Sequence, residues 1–282
     1  MLLKRFIDVI LFGSIFISLC AVALCIETNL LLHLPLNNFS FYLFVFGATL
    51  LQYNLHYLFK KTAVNNSGRL RWSRNNKILH IIFIVTGAII VVVTMFNFTL
   101  RHIIIISVLG IITMLYSFPF FPFIKKRIKD FGLLKILTLA FLWTIITVWF
   151  PLGEEFFFRI DFQLIFFRRF IFIFTICLLF DIRDIVIDRK KNISTFAVIL
   201  GLQKSYLLCN ILLFSFTILS FIQFFIVNDL IQLIVMVSSA IVTFVIIGIS
   251  KKNNSDYIYL GAIDGMMFLQ ALLVIIGSTY FH

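Results

Sequence analysis

The sequence predicts an all-α integral membrane protein with about nine transmembrane helices in a single domain, residues 1–282. Hydrophobic residues make up 62% of the chain and charged residues only 13%, whereas soluble domains average about 45–50% apolar and about 25% charged residues. The mean hydropathy of +1.10 agrees with this. The apolar stretches are also long enough, because a helix that crosses a hydrocarbon core of ~30 Å needs about 20 predominantly apolar residues.

The predicted helices follow one another with short connections, which leave no room for a separate soluble domain. Lys4 and Arg5 precede the first apolar stretch, but that stretch is long and lacks a small-residue cleavage site, so we interpret it as a retained span and not as a signal peptide. The predicted spans cover residues 7–29, 39–59, 78–97, 102–121, 131–151, 164–187, 206–226, 228–249 and 257–280.

The distribution of basic residues predicts the orientation. Most of the 24 Lys and Arg residues lie before the first predicted helix and after the second, fourth, sixth and eighth. Because Lys and Arg concentrate in cytoplasmic loops, we expect a cytoplasmic N-terminus and an external C-terminus. The net charge of +12 is dispersed among these loops, which argues against nucleic-acid binding and for contact with lipid headgroups. In a bacterium, the protein would lie in the plasma (inner) membrane.

Cysteines and isolated ionisable residues inside the spans are predicted to be structural. The four cysteines lack CxxC spacing and are expected to be small packing residues. Most of the ionisable residues lie near span ends, where their side chains can extend to the interface, whereas Asp264 is deeper and is expected to pair with a cation from another helix. This set consists of Asp8, Glu27, Lys135, Arg168, Arg169 and Asp264.

A DxxDxxxD pattern, formed by Asp181, Asp184 and Asp188, ends the sixth predicted helix. At ~100° per residue the three carboxylates fall within an arc of about 60°, so they are expected to face one point. Ionised side chains within a span cost about 2.5–3.5 kcal/mol each, so such a cluster needs a cation. Carboxylate oxygens suit Mg²⁺, which shares its remaining coordination sites with water and substrate phosphates. The pattern therefore indicates a metal and diphosphate site; the alternative is a solvated helix end paired with Arg183, Arg189, Lys190 and Lys191.

The run DIRDIVIDRKKNISTFAVILG, which begins at Asp181, resembles the second aspartate-rich motif of the UbiA family of membrane prenyltransferases, DxxDxxxDxxxGxxTxPxxLG. Asn192 replaces the usual glycine and Ala197 the usual proline; asparagine tolerates the left-handed backbone almost as glycine does. The residues that agree with the motif are Asp181, Asp184, Asp188, Thr195, Leu200 and Gly201.

The resemblance extends along the chain, because that family has nine helices and carries its aspartate-rich motifs on helices two and six. The segment Tyr116–Pro119, followed by Lys125 and Lys126, resembles the family's tyrosine and lysine motif between helices four and five. The first aspartate-rich motif, usually NDxxDxxxD, is degenerate. Only Asn54 remains, and Leu55, Leu58 and Thr62 stand where carboxylates would be. His56 and Tyr57 are neighbouring polar candidates.

The resemblance implies a Mg²⁺-dependent transfer of a prenyl group from an allylic prenyl diphosphate to an aromatic or other lipophilic acceptor. It implies Asp181, Asp184 and Asp188 as metal ligands and, together with Asn54, as catalytic residues. The residues implied for diphosphate binding are Lys60, Lys61, Tyr116, Lys125, Lys126 and Arg127. Two other functions are compatible with the sequence: a non-catalytic prenyl-lipid-binding protein on the same fold, and a transporter that uses the acidic cluster for an ion.

Overall fold

The computed structural model describes residues 2–59, 68–117, 127–153 and 156–280, and within these ranges every regular element is a helix. The helices are α1 (Leu2–Phe12), α2 (Ile15–Leu31), α3 (Phe39–Leu58), α4 (Gly68–Asn75), α5 (Lys77–Met95), α6 (Leu100–Ser117), α7 (Gly132–Thr144), α8 (Ile160–Lys190), α9 (Phe196–Val227), α10 (Leu230–Ser250) and α11 (Gly265–Tyr280). A 3₁₀ turn at Ile128–Asp130 precedes α7, a π-helical turn at Ile145–Trp149 extends it, and another at Ile258–Ile263 leads into α11.

Several helices are able to cross a bilayer. By length and composition six helices of the described residues qualify, namely α5, α6, α7 with its π turn, α9, α10, and α11 with its π turn; α1 and α2 are a seventh if they form one span bent by 55°. Many of their outward side chains are large and apolar, as a lipid-facing surface requires. The chain is thus a multi-pass helical membrane protein. The count of nine spans, which also needs α3 and α8, stays a prediction, as does the orientation.

The first span is broken, so the prediction of one continuous helix over residues 7–29 is wrong. The break lies between α1 and α2, where Ser14 adopts a left-handed backbone with φ of 66°. Helix ends leave backbone groups without partners. Here the Asn54 side-chain amide donates to the Gly13 carbonyl at 3.0 Å, and the Arg69 guanidinium donates to the Ser14 hydroxyl at 2.9 Å. Side chains from α3 and α4 therefore hold the bend.

Helix α9 begins ten residues before the predicted span, at Phe196. Thr195 caps it by accepting a hydrogen bond from the Val198 amide at 3.3 Å. The first turn is separated from the rest by Gly201, whose φ of 77° and ψ of 169° are not helical. A glycine is needed for this backbone, since a side chain would be strained at that φ. The short capped turn is therefore a connector between the end of α8 and the main part of α9.

Most of the isolated polar groups within the spans are buried between helices. Glu27 on α2 and Arg169 on α8 are 0% and 2% exposed, and their side chains form an ion pair at 3.1 Å. The expectation that they extend to the interface is therefore wrong. Asp264 is also buried; it interacts electrostatically with Arg69 and Arg183, but no ion pair within 4.0 Å is present among the described residues. The four cysteines are buried and free, which confirms their packing role.

Candidate functional site

Two of the three predicted carboxylates meet at the C-terminal end of α8. Asp181 and Asp188 are seven residues apart, which is about two helical turns, so both project towards α7. There the Lys135 ammonium lies 2.7 Å from Asp181 Oδ1 and 3.1 Å from Asp188 Oδ2. Both carboxylates are buried, whereas the lysine side chain is 23% exposed. The arrangement is a pair of buried carboxylates gathered on one cation.

Asp181 keeps one acceptor without a partner. Its Oδ2 atom is buried and makes no hydrogen bond among the described residues, although buried carboxylate oxygens are normally satisfied. Asp184 does not join the pair, because its carboxylate binds the neighbouring Arg183 Nε at 2.9 Å. Within the described ranges, no three His, Cys, Asp or Glu side chains are arranged to hold a metal ion. The expectation that all three carboxylates face one point is therefore met by only two of them.

Arg183 connects the acidic end of α8 to other helices. Besides Asp184, its guanidinium lies 3.5 Å from Asp256 in the segment before α11, and it stacks near the Phe180 and Tyr259 rings. Asp256 in turn accepts a hydrogen bond from the Arg69 backbone amide of α4 at 2.9 Å. Two charged networks therefore lie side by side, one built on Lys135 and the other on Arg183.

The segment before α11 is also attached to α1. The Tyr257 hydroxyl donates to Asp8 Oδ1 at 2.6 Å. This hydrogen bond, followed by burial and by the negative charge of Asp8, raises the pKa of the Tyr257 phenol to about 12. The phenol is neutral at physiological pH even at its ordinary pKa of about 10, and the raised pKa lets it keep donating this bond at still higher pH.

The turn after α8 supports the carboxylate pair. Asn192 has a φ of 55°, which confirms that asparagine takes the left-handed backbone where the family motif has glycine. The turn closes through a hydrogen bond from the Ile193 amide to the Asp188 carbonyl at 2.9 Å. It also packs closely against the start of α7, because a Cβ placed on Gly132 would lie 1.9 Å from the Ser194 carbonyl oxygen. Lys135 is one helical turn beyond this contact.

Replacing Gly132 with alanine is expected to lower the free energy of unfolding by about 1–3 kcal/mol, because the new methyl group meets rigid backbone. It should also separate Lys135 from Asp188. Gly110→Ala on α6 is the matched control, since a Cβ there meets nothing within 4 Å. Unfolding of both variants in detergent with increasing SDS would measure the difference. Equal stability of the two variants would contradict the close contact.

Asn54, the residue that remains from the degenerate first motif, has a structural environment. It is fully buried, and its amide donates both to Gly13 and to the Leu50 carbonyl, the latter at 2.8 Å. Its oxygen lies 2.6 Å from His80 Nδ1 on α5. These bonds use both amide hydrogens. The geometry therefore gives Asn54 a role in joining α3, α5 and the α1–α2 bend.

Two of the six predicted diphosphate-binding residues, Tyr116 and Arg127, lie within the described residues. Lys60, Lys61, Lys125 and Lys126 lie outside the described residues. Arg127 forms two side-chain hydrogen bonds with Asp130, each 2.9 Å long, at the 3₁₀ turn before α7. Tyr116, in the last turn of α6, interacts electrostatically with Lys135 and Asp181. Tyr116 is therefore the predicted diphosphate-binding residue of the described part of the chain for which an interaction with Asp181 and Lys135 is found.

Sequence reasoning missed the partners of the carboxylates. From the sequence, Lys135 is expected near a span end, Arg69 is expected only among the orienting basic residues after the second predicted helix, and no expectation concerns Asp256. The available signal was a lysine one turn inside the fifth predicted helix, close in the chain to a basic loop. Its side chain could have been matched to the acidic end of the sixth helix, because consecutive antiparallel helices usually lie side by side.

The fold is that of an all-helical, multi-pass membrane bundle. No family model matches the chain, and no curated protein matches it in sequence. Its structure is similar to a solved structure of digeranylgeranylglyceryl phosphate synthase, with a TM-score of 0.58, 15% sequence identity and coverage of 98% of each chain. At this identity the likeness shows the fold alone. It is consistent with the expected UbiA-like bundle.

Proposed function

We propose that this chain is a UbiA-like membrane prenyltransferase, which moves a prenyl group from an allylic prenyl diphosphate to an aromatic or other lipophilic acceptor with the help of Mg²⁺. The observation that carries the proposal is the buried pair of Asp181 and Asp188 gathered on a cation at the end of α8. It lies in a bundle whose fold is shared with digeranylgeranylglyceryl phosphate synthase. Such a bundle offers an apolar environment to a prenyl chain and a charged end to its diphosphate.

The carboxylate pair has the donor chemistry that Mg²⁺ requires. Asp181 and Asp188 already converge on one positive charge, and Asp181 Oδ2 is a further buried acceptor without a partner. Mg²⁺ is usually held by one or two carboxylates and completes its coordination with water and substrate phosphate. In the proposal Asp181 and Asp188 would hold the ion, whereas Asp184 stays bound to Arg183. When bound, Mg²⁺ would neutralise the diphosphate as it leaves.

The protein's own residues would support the transfer of the prenyl group. The bond between C1 of the prenyl group and a diphosphate oxygen breaks, a bond from C1 to the acceptor forms, and the acceptor releases a proton. Lys135 contributes a positive charge beside the carboxylates, and lysine binds phosphate as a point charge. The apolar interior of the bundle excludes water, which would otherwise capture the reactive prenyl group. Asn54 acts in the proposal as a positioning residue for the α1–α2 bend.

A non-catalytic prenyl-lipid-binding protein is the second candidate. It is favoured by the first motif, where Leu55 and Leu58 replace carboxylates and Asn54 is engaged in bonds to Gly13, Leu50 and His80. A protein with one carboxylate cluster could bind the same diphosphate without ionising it. The two candidates share a binding site and differ only in whether the prenyl group is transferred.

The proposal is tested by measuring the thermal stability of the purified protein in detergent with geranyl, farnesyl and geranylgeranyl diphosphate, each with and without Mg²⁺. A ligand that binds only the folded state at 100 times its Kd stabilises it by about 2.7 kcal/mol. We expect stabilisation that needs both a diphosphate and Mg²⁺. Absence of stabilisation by every donor would contradict the proposal.

Where a donor binds, incubation with radiolabelled donor and membrane lipid extract separates the two candidates. A labelled lipid product supports the transferase. Binding without any product, in the presence of Mg²⁺, supports the prenyl-lipid-binding protein.

A further inference from the structure

Lys135 occupies the centre of the acidic site. Its ammonium lies within 3.1 Å of carboxylate oxygens from two residues that are two turns apart on α8. A metal ion held between Asp181 and Asp188 would therefore lie next to the Lys135 ammonium and would compete with it for Asp181 Oδ1 and Asp188 Oδ2. The lysine is the only side chain that forms an ion pair with either carboxylate in the described part of the chain.

The site retains an acceptor that the lysine does not use. Asp181 is 2% exposed, and its Oδ2 atom has no hydrogen-bond partner among the described residues. A buried carboxylate oxygen without a partner is costly, and this indicates that a second donor or cation belongs there in the working state. An ammonium and a divalent ion on the same two carboxylates repel each other strongly at low dielectric. The repulsion between the Lys135 ammonium and the divalent ion falls if an anion lies between them or if the ammonium moves away from the carboxylates.

We propose that Lys135 is an internal counter-ion that competes with Mg²⁺ for Asp181 and Asp188, so that the metal binds tightly only together with a diphosphate that takes over the ammonium. The inference rests on the proposed function for the identity of the diphosphate, but the competition itself does not. Lysine is suited to this exchange because its ammonium, on a flexible stem, acts as a point charge that can bind either carboxylate or phosphate. The 23% exposure of the side chain gives it room to move.

The exchange couples the binding of Mg²⁺ to the binding of the diphosphate through the charges at the site. Without ligands, the pair of carboxylates and the lysine carry one net negative charge, which keeps the buried site close to neutral. Mg²⁺ and a diphosphate would arrive as a complex, the ion at the carboxylates and the phosphate at Lys135. The apo protein is thereby protected from adventitious metal ions, and the metal affinity depends on the donor.

The competition is tested with Mn²⁺ as a paramagnetic substitute for Mg²⁺, by titrating the detergent-purified protein without any diphosphate and measuring free Mn²⁺ by electron paramagnetic resonance. Lys135→Met removes the charge but keeps much of the side-chain volume, and it is expected to bind Mn²⁺ about tenfold more tightly than the wild type. Lys135→Arg keeps the charge and should bind Mn²⁺ as weakly as the wild type. Lys135→Gln serves in place of the methionine variant if that variant does not elute as a folded monodisperse species.

An affinity for Mn²⁺ that is unchanged or weaker in both neutral variants would overturn the proposal. Loss of the tightening when Asp181→Asn is added to Lys135→Met would locate the gained site at the pair and support it.

A second titration, with saturating inorganic pyrophosphate or geranylgeranyl diphosphate, measures the coupling between metal and diphosphate. In the wild type we expect the diphosphate to raise the Mn²⁺ affinity at least tenfold, and in Lys135→Met by less than threefold. Equal coupling in the two proteins would overturn the exchange. If the prenyl diphosphates bind neither protein while Lys135→Met still binds Mn²⁺ more tightly, the proposed function fails and the competition stands.

Discussion

Asp181→Asn is expected to reduce the affinity for a prenyl diphosphate in the presence of Mg²⁺ by about 100-fold, which corresponds to about 2.7 kcal/mol. Asp181 is the more deeply buried carboxylate of the pair, it makes the shorter contact with Lys135, and it carries the oxygen that has no partner. The substitution removes one charge-assisted contact to the cation, which contributes about 1.5–3 kcal/mol. Prenyl transfer should fall at least as much as binding.

The fold should survive this change, because asparagine is nearly isosteric with aspartate and Asp188 still binds Lys135 at 3.1 Å. Asp161→Asn is the matched control. Asp161 lies on the same helix at its opposite end and pairs with Arg159, so it shares the chemistry of the substitution but not the site. Thermal stabilisation by donor and Mg²⁺ would be compared for the wild type and both variants. Undiminished stabilisation in Asp181→Asn would exclude this carboxylate from the donor site.

The helical part of the fold was predictable because hydropathy acts over whole segments. Each predicted span has a helical counterpart, and the boundaries agree closely for α3, α5 and α10. The agreement follows from one physical requirement, that backbone groups in lipid must be satisfied within the segment. Hydropathy does not show the break at Gly13–Ser14, although a Gly–Ser pair is a common place for a kink. No proline marks it, and the side chains that satisfy it come from Asn54 and Arg69, which are distant in sequence.

The sequence predicts which carboxylates form the candidate site, but it does not predict which cations bind them. Helical periodicity relates Asp181 to Asp188 because both lie on one helix, where geometry is fixed by spacing. The same periodicity does not show that Asp184 binds Arg183 instead, because the side-chain rotamers of adjacent charged residues decide whether they pair with each other. Lys135 belongs to another helix, and its distance to Asp181 depends on how α7 packs on α8. The close approach of Gly132 to Ser194 sets that packing, and neither residue is unusual in the sequence.

The buried ion pair between Glu27 and Arg169 also differs from the sequence-based expectation, and it has the largest expected effect on stability. Arg169→Met is expected to lower the free energy of unfolding by about 3–5 kcal/mol, because it removes the ion-pair partner of buried Glu27 and leaves only the more distant charge of Arg168. The pair joins α2 to α8 next to Thr28, whose hydroxyl donates to the Thr147 carbonyl in the π turn of α7 at 2.7 Å. Its loss should therefore loosen three helices.

The double variant Glu27→Gln with Arg169→Met separates the cost of an uncompensated charge from the cost of lost packing. If the buried charge dominates, the double variant should recover about 2 kcal/mol relative to Arg169→Met, since contacting residues are strongly coupled. Arg159→Met provides the control at the start of the same helix, because more exposed pairs such as Arg159–Asp161 contribute about 0–1 kcal/mol. Unfolding in detergent with increasing SDS, followed by tryptophan fluorescence, measures five proteins: the wild type, Glu27→Gln, Arg169→Met, the double variant and Arg159→Met. A double variant as unstable as the sum of its single changes would mean that the two side chains do not act as a pair.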